Sequence, residues 1–273
     1  MTITPTIENR FHDLYLKYFH NAEAHRRWNL MSDVPWESAR RQPDDSVAQI
    51  VESFMAVEMY LPDYTAKILH LIRRSRGRAW FQANWGYEES KHSLVLETWL
   101  TRSGHRTYEQ LRGFEEEILS RQWDLCYDSP LEMIVYTTFQ EFATGLNYRN
   151  LRKLAALSGD AALDRLLVLL AQDETAHFHF FKDGVRIFMD HDRDRVLEAI
   201  VHVLKTFRMP AQQLIPNWSE RDATIRRHEV FTDRIFTREV LPPVLKSLGL
   251  SLSDLRAARK ACCVTDAGSA SVH

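Results

Sequence analysis

Apolar side chains recur every three or four residues along most of the chain, which is the spacing of one face of an α-helix. The sequence contains no strand-like alternation of any length. Start and stop signals support the pattern, since Ser129 and Pro130 can open one helix and Gly104 can close another. The pattern predicts helices over 8–31, 45–74, 79–103, 107–125, 130–158, 160–189, 193–207, 219–246 and 251–261.

No linker interrupts this pattern, so the sequence predicts one all-α domain over 1–263. The final stretch, 264–273, is small and polar and is predicted to be a disordered tail.

Four of these helices carry acidic side chains on the face that is otherwise apolar. Two helices carry a lone Glu there, and two carry a Glu-x-x-His pair, in which Glu and His lie one turn apart. Buried carboxylates are costly unless something pairs with them. The residues are Glu58, Glu89, His92, Glu141, Glu174 and His177.

The spacing of these residues predicts a four-helix bundle. Each lone Glu precedes a Glu-x-x-His pair by a similar distance, 31 residues in one half of the chain and 33 in the other. That is one long helix, a turn and the way back along a neighbour, so each half forms an antiparallel hairpin. Two hairpins would bring four carboxylates and two imidazoles to one level, which is the ferritin-like di-iron arrangement with additional flanking helices.

Charge favours a pair of metals at that level. Four ionised carboxylates in a core repel one another and would have to take up protons, whereas two divalent cations cancel their charge. Oxygen and imidazole donors suit iron or manganese. A single Glu-x-x-His arises readily by chance, but two such pairs at matched distances from a core-facing Glu do not. Glu88 points about 100° away from Glu89 on the helix and is expected at the surface.

Composition narrows the class of protein. Hydrophobic residues make up 45% and charged residues 26% of the 273 residues, and the net charge is −2. These values are ordinary for a globular protein and do not indicate a nucleic-acid partner. No apolar run is long enough to predict a membrane span, and none at the start of the chain resembles a signal peptide. The three cysteines, Cys126, Cys262 and Cys263, are expected to be reduced thiols of a cytoplasmic protein.

Four motifs resemble those of the soluble acyl-acyl-carrier-protein desaturases, the stearoyl-type class, and the likeness runs from about residue 28 to 245. They are EMYLPDY at 58–64, EESKH at 88–92, YTTFQEFAT at 136–144 and DETAH at 173–177. The resemblance implies two irons, the first held by Glu58 and His92 and the second by Glu141 and His177, with Glu89 and Glu174 bridging them. Manganese is not excluded by the ligand types.

The resemblance also implies roles around the irons. Thr144 matches a Thr beside the oxygen-binding face, where it could deliver protons or simply bond to a backbone carbonyl. Asp173 matches an acid that orients a ligand His, and Trp28 matches a surface Trp that passes electrons inward. Tyr148 stands where the family often has His, which leaves open whether the family's electron path is present. It is expected to be a core tyrosine.

The implied activity is an O₂-dependent desaturation of an acyl chain on acyl carrier protein, with electrons from a ferredoxin-like donor. The resemblance also implies that the enzyme is a homodimer. Met133 stands where the family tends to have Gly, so we expect a shorter or bent acyl channel. Arginines at 73–78 and basic residues at 149–153 are candidate docking surfaces for the acidic carrier, or simply solvated faces.

Three alternatives stay open at this stage. The first is a related di-iron oxygenase that hydroxylates or N-oxygenates a carrier-bound or small substrate. The second is a ferritin-like protein that stores or transfers iron, and the third is a helical protein whose site binds no iron tightly and is inactive.

Overall fold

The computed structural model of the chain describes residues 3–125 and 127–259. All regular structure within these ranges is helical, which confirms the predicted all-α class. The helices are α1 (Pro5–Asn21), α2 (Ser46–Glu58), α3 (Leu61–Ile72), α4 (Arg76–Arg102), α5 (Tyr108–Leu119), α6 (Pro130–Ala155), α7 (Ala161–Met189), α8 (Arg193–Thr206), α9 (Trp218–Arg227), α10 (Asp233–Ile235) and α11 (Leu241–Ser247), and a further helix spans 252–259. π-Helical turns continue α1 over Ala22–Arg26 and join α10 to α11 over Phe236–Val240.

Two helical hairpins form the centre of the molecule, as the spacing of the acids predicts. α2 packs against α4, and α6 packs along α7. Contacts between α4 and α7 and between α2 and α6 close these pairs into a four-helix bundle. α1 lies over α4 and α7, α3 lies over α4 and α6, and α8 covers α6 and α7.

The prediction of one continuous helix over 45–74 is wrong, because the helix breaks after Glu58. The cause is Pro62, whose ring nitrogen cannot donate to the carbonyl four residues earlier and whose ring collides with it. That carbonyl belongs to Glu58, so α2 ends there and a new helix, α3, begins at Leu61. The break makes Glu58, a predicted metal ligand, the last residue of α2.

Two other helix predictions also need correction. The helix predicted over 219–246 is interrupted after Arg227, where Glu229 adopts a φ of 50°, and Pro242 lies in the first turn of α11. The first helix starts at Pro5 rather than residue 8, because Thr4 caps it by accepting a hydrogen bond from the Ile7 amide at 3.3 Å. It ends with the π-helical turn at Arg26 rather than at residue 31.

The buried apolar side chains form two clusters, one toward each end of the bundle. On α4, Phe81 and Trp85 belong to one cluster, whereas Val95 and Trp99 belong to the other. α7 divides in the same way, with residues 171–177, Glu174 among them, between the two groups. The level between the clusters is therefore left to polar side chains.

Among the described residues, no helix combines the length and apolar character needed to span a membrane. The three cysteines and the tail over 264–273 lie outside the described residues, so the predictions about them stay predictions. The division into a single domain over 1–263 likewise stays a prediction.

Candidate metal centre

Six side chains from four helices meet at the polar level of the bundle, and none is more than 6% exposed. They form two groups of four, and within each group the candidate ligand atoms lie within 4.8 Å of one another. Glu89 and Glu174 belong to both groups, so the arrangement has two adjoining positions that share two carboxylates. The groups are Glu58, Glu89, His92 and Glu174, and Glu89, Glu141, Glu174 and His177.

The polar atoms that face the centre lie close together, but several of them have no hydrogen-bond partner. Nδ1 of His92 lies 3.0 Å from Oε2 of Glu89 and 3.3 Å from Oε1 of Glu174. Within the described residues, His92 Nδ1, Glu89 Oε1, Glu141 Oε1 and both Glu174 oxygens are buried without a hydrogen-bond partner. Separations near 3 Å are those of neighbouring ligands around one metal bound at about 2.1 Å. The donor set therefore fits a pair of divalent cations.

Each candidate ligand histidine turns Nδ1 to the centre and Nε2 to a carboxylate outside it. Nε2 of His177 lies 2.7 Å from Oε2 of Glu88, and Nε2 of His92 lies 3.4 Å from Oδ2 of Asp173. A carboxylate that accepts the Nε2 proton leaves the Nδ1 lone pair free for a metal and fixes the orientation of the ring. Asp173 thus lies beside a candidate ligand histidine, the position that the desaturase resemblance implies for it.

Arg26 connects these two outer carboxylates. Its Nη2 donates to Oε1 of Glu88 at 2.9 Å, and its Nη1 donates to Oδ1 of Asp173. Nη2 also donates to the Tyr18 hydroxyl at 2.6 Å, and Arg27 donates to Glu88 as well. Arg26 lies in the π-helical turn after α1 and is only 7% exposed. This turn places its guanidinium within reach of both acids.

The expectation of an exposed Glu88 is wrong, since this residue is 1% exposed. The face of α4 that carries Glu88 does point away from the centre, but α1 and the turn after it cover that face. A signal was available in the sequence. Glu88-Glu89 and Asp173-Glu174 are matching acid doublets before the two Glu-x-x-His pairs, so one role for Asp173 implies the same role for Glu88.

The charges of the centre favour cation binding. Burial, and next the charge of Glu89, raises the pKa of Glu58 well above its ordinary value, and burial and Glu174 do the same for the pKa of Glu141. Burial opposes protonation of His92 and His177, but neighbouring groups outweigh it and raise both pKa values, Glu89 first for His92, and Tyr18 followed by Glu89 for His177. Protons therefore compensate the carboxylates where no cation does, and cations would displace those protons.

The outer carboxylates remain ionised. Burial acts to raise the pKa of Glu88, but the hydrogen bond to His177 and the charges of His177 and Arg26 reverse that effect and lower it. For Asp173, burial is again outweighed, by His92 and Arg26, and its pKa is lowered. Two fixed negative charges thus stand behind the two imidazoles, which makes the imidazoles better ligands for a cation.

Three small cavities follow one another past the centre. The central cavity, about 20 Å³, is lined by Glu58 and Glu89. It shares Ile68 and Thr137 with an inner cavity of about 30 Å³, and Glu58 with an outer cavity of about 40 Å³. Each holds only a few water molecules, so a longer ligand requires movement of the lining side chains.

A protein-family model described as fatty acid desaturase matches residues 22–260 of the sequence. The chain belongs to the fatty acid desaturase family. One relative is DesA1 of Mycobacterium tuberculosis, named as an acyl-acyl-carrier-protein desaturase, with 26% identity over 246 residues that cover 81% of this chain and 71% of DesA1. Another is the chloroplastic stearoyl-acyl-carrier-protein 9-desaturase 4 of Arabidopsis thaliana, 28% identical over 62% of this chain. The match covers 44% of that plant protein, so the chain spans about half the length of such plant relatives.

Solved structures show the same fold. The X-ray structure of the acyl-ACP desaturase DesA2 of Mycobacterium tuberculosis superposes with a TM-score of 0.69 at 15% identity, over 93% of this chain and 99% of that one. A mutant R2-like ligand-binding oxidase with a Mn/Fe cofactor superposes with a TM-score of 0.59 at 16% identity, over 91% and 96% of the two chains. The predicted ferritin-like bundle is confirmed by this likeness.

Three further positions that the desaturase resemblance singled out can now be located. Thr144 lines the outer cavity together with Glu58, and its hydroxyl donates to the backbone carbonyl of Gln140 at 3.0 Å. The hydroxyl of Tyr148 donates to Oε1 of Glu58 at 3.0 Å, so Tyr148 is a core tyrosine whose hydroxyl is satisfied by a candidate ligand.

Trp28 is not a surface residue, because only 7% of it is exposed and the Lys91 ammonium covers its ring at 3.7 Å. Its Nε1 donates to Oδ2 of Asp173 at 2.7 Å, the same oxygen that faces His92. A line of hydrogen-bonded groups therefore runs from Trp28 to a candidate ligand without Tyr148, which lies on the other side of His92 against Glu58.

Proposed function

We propose that this protein is a di-iron desaturase that uses O₂ and two electrons to introduce a double bond into an acyl chain carried on acyl carrier protein. The observation that supports this most is the convergence of six buried donors into two groups that share Glu89 and Glu174. The family membership and the relatives named as acyl-carrier-protein desaturases supply the substrate class.

The residues have distinct tasks in this proposal. Glu58 and His92 would hold one iron, Glu141 and His177 would hold the other, and Glu89 and Glu174 would bridge. Such a pair of irons, when bound and reduced, supplies the chemistry that activates O₂ for hydrogen removal. The same oxygen and nitrogen donors also suit manganese. The donor set therefore does not identify the metal, and iron is what we propose.

The outer residues prepare the site for that chemistry. Glu88 and Asp173 hold the two imidazoles with Nδ1 facing inward, and Arg26 keeps both carboxylates in place. We assign the line from Trp28 through Asp173 to His92 as the route for electrons from a ferredoxin-like donor. The two apolar clusters above and below the centre exclude water from the reacting chain.

Docking of the acidic carrier needs exposed basic side chains. Arg73, Arg74 and Arg76 are exposed and form one candidate surface. Arg78, expected in the same surface, is instead 9% exposed and pairs with Glu8. The second candidate surface follows Thr144 and Tyr148 of the outer cavity along α6. There Arg152 is paired with Asp164 at 2.7 Å, and both surfaces stay candidates. The homodimer and the cytoplasmic location stay predictions.

The test is mass spectrometry of products after incubation of iron-loaded protein with a series of acyl carriers, reduced ferredoxin and O₂. Loss of two hydrogens from the acyl chain is the expected result, and Glu141→Gln should abolish it. Gain of one oxygen atom would instead identify an oxygenase. Uptake and oxidation of iron without a reductant, and without any acyl product, would identify an iron-handling protein and overturn the proposal.

A further inference from the structure

Gln82 is a polar side chain in a mostly apolar cavity. It is 2% exposed, and no described residue accepts a hydrogen bond from its Nε2. It lines the inner cavity together with side chains such as Phe81, Met133 and Phe180. A buried amide donor without an acceptor costs free energy, so native proteins usually give it a partner. The partner here can come from whatever occupies the cavity.

The inner face of α4 leads from the metal centre to Gln82. Glu89 and Trp85 line the central cavity, and Gln82 and Arg78 line the inner one. These four positions are separated by four, three and four residues, so they form one stripe along the helix. Seven residues separate Glu89 from Gln82, which is about 10 Å along the axis.

The inner cavity is the more buried end of this path. All its lining residues are buried except Pro130. The outer cavity has half-exposed lining residues, among them Phe54, Thr144 and Trp218. An acyl chain on a carrier therefore enters from the outer cavity, passes Glu58 and ends beside Gln82.

Thr137, which also lines the inner cavity, donates its hydroxyl to the Met133 carbonyl at 2.7 Å. Arg78, the charged residue of the inner cavity, already has its charge balanced. Its Nη2 donates to Oε1 of Glu8 at 2.9 Å and its Nε donates to the Ser75 hydroxyl at 2.8 Å. Its guanidinium also lies 5.1 Å from the centre of the Phe11 ring, which packs behind it. A second anion beside this ion pair would be unbalanced, so the cavity suits a neutral group better than a carboxylate.

We propose that Gln82 binds a neutral oxygen, a hydroxyl or a carbonyl, near the end of the acyl chain. The preferred substrate is then an oxygenated acyl thioester rather than an unsubstituted fatty acyl chain. This inference rests on the proposed function, because it assigns the far end of the same substrate. The oxygen lies roughly eight bonds of extended chain beyond the carbons at the metal centre, given the axial distance of about 10 Å.

A methyl-ended chain leaves Nε2 of Gln82 unpaired. Sites that are built to hydrogen-bond a substrate group reject analogues that lack that group.

The experiment uses iron-loaded protein and carrier species with chains of equal heavy-atom count that end in a methyl group, a primary hydroxyl or a methyl ketone. The readouts are kcat/KM in direct competition, and the dissociation constant of each carrier without reductant.

The wild-type protein should favour each oxygenated chain over the methyl-ended chain by at least about tenfold in both readouts. Gln82→Met keeps the side-chain length, and should lose that preference while it turns over the methyl-ended chain at least as well. Gln49→Met makes the same change on the outside of α2, where the amide contacts Glu220, and should keep the preference.

Desaturation of all three chains without preference would overturn the inference and leave the proposed function intact. If none is desaturated, the proposed function fails, and the wild-type dissociation constants still decide the inference, since equal values overturn it. A preference for the hydroxyl alone or the ketone alone would support it and identify the oxygen.

Discussion

The carboxylate of Glu88 lies 2.7 Å from Nε2 of His177, and this contact joins a residue outside the candidate metal centre to a candidate ligand inside it. Arg26 holds the same carboxylate at 2.9 Å and also reaches Asp173, which faces the other ligand histidine. The two halves of the centre are therefore tied together behind the ligands by one guanidinium.

Glu88→Gln is expected to weaken metal binding about 10–100-fold at the position that uses His177. The substitution keeps the shape of the side chain but removes the charge that fixes the imidazole and balances Arg26. Titration of metal-free protein with Fe²⁺ under anaerobic conditions measures the effect. Glu117→Gln, which loses only an exposed pair with Arg121, is the control. Equal affinities in wild type and Glu88→Gln would contradict the assigned role.

Glu58→Gln is expected to stabilise the metal-free protein at pH 7.5 and to reduce its stabilisation by metal. Burial raises the pKa of Glu58, so its ionised form is unfavourable in the fold, whereas an amide carries no charge and can still accept from Tyr148. A gain of about 1 kcal/mol in unfolding free energy corresponds to roughly 2–4 °C in Tm for a chain of this size.

Thermal unfolding with a chelator and with Fe²⁺ tests this expectation. Glu198→Gln, at an exposed position on α8, should change neither melting temperature. A lower Tm for metal-free Glu58→Gln would show that the carboxylate stabilises the fold without a cation, against the charge argument.

The metal-free protein is expected to lose stability as pH rises from about 5 to about 8. Burial first, then neighbouring charge, raises the pKa of Glu58 and of Glu141, so the fold keeps protons that the unfolded chain releases above about pH 4.3. The pKa values of His92 and His177 are also raised, because neighbouring groups outweigh burial, Glu89 for His92 and Tyr18 with Glu89 for His177. Their contribution is complete below the unfolded pKa of about 6.5 and is lost as pH rises through the folded values.

All four groups bind more protons in the folded state, so the unfolding free energy falls with rising pH. The lowered pKa values of Glu88 and Asp173 act only at acid pH, below their unfolded values of about 4. Urea unfolding at several pH values measures the trend. Metal binding displaces the protons, so the metal-loaded protein should show the opposite slope. A flat profile for the metal-free protein would count against the buried acid cluster.

Met133→Ala is expected to lengthen the acyl chain that the protein accepts. Met133 is 2% exposed and lines the inner cavity, so truncation enlarges the more buried end at a cost of about 2–5 kcal/mol in stability. Products from a graded series of acyl carriers measure the shift. Met209→Ala removes the same volume beside the outer cavity and should leave the length preference unchanged. An unaltered preference in Met133→Ala would exclude the inner cavity as the end of the channel.

The sequence by itself determined the six candidate ligands and the two hairpins. Helical periodicity is a local property, so the spacing of Glu89 and His92, or of Glu174 and His177, already states that each pair shares one face of one helix. The break after Glu58 was also local, because Pro62 lies four residues later and cannot complete that turn.

Only the tertiary structure decided what covers the other faces of those helices. Glu88 is buried because α1 and the turn after it, some sixty residues earlier in the chain, pack against α4 and bring Arg26 to it. Arg78 turns inward for the same reason, since Glu8 of α1 pairs with it. A helix pattern states which residues share a face, but whether a second face meets solvent depends on contacts between distant segments, which periodicity does not contain.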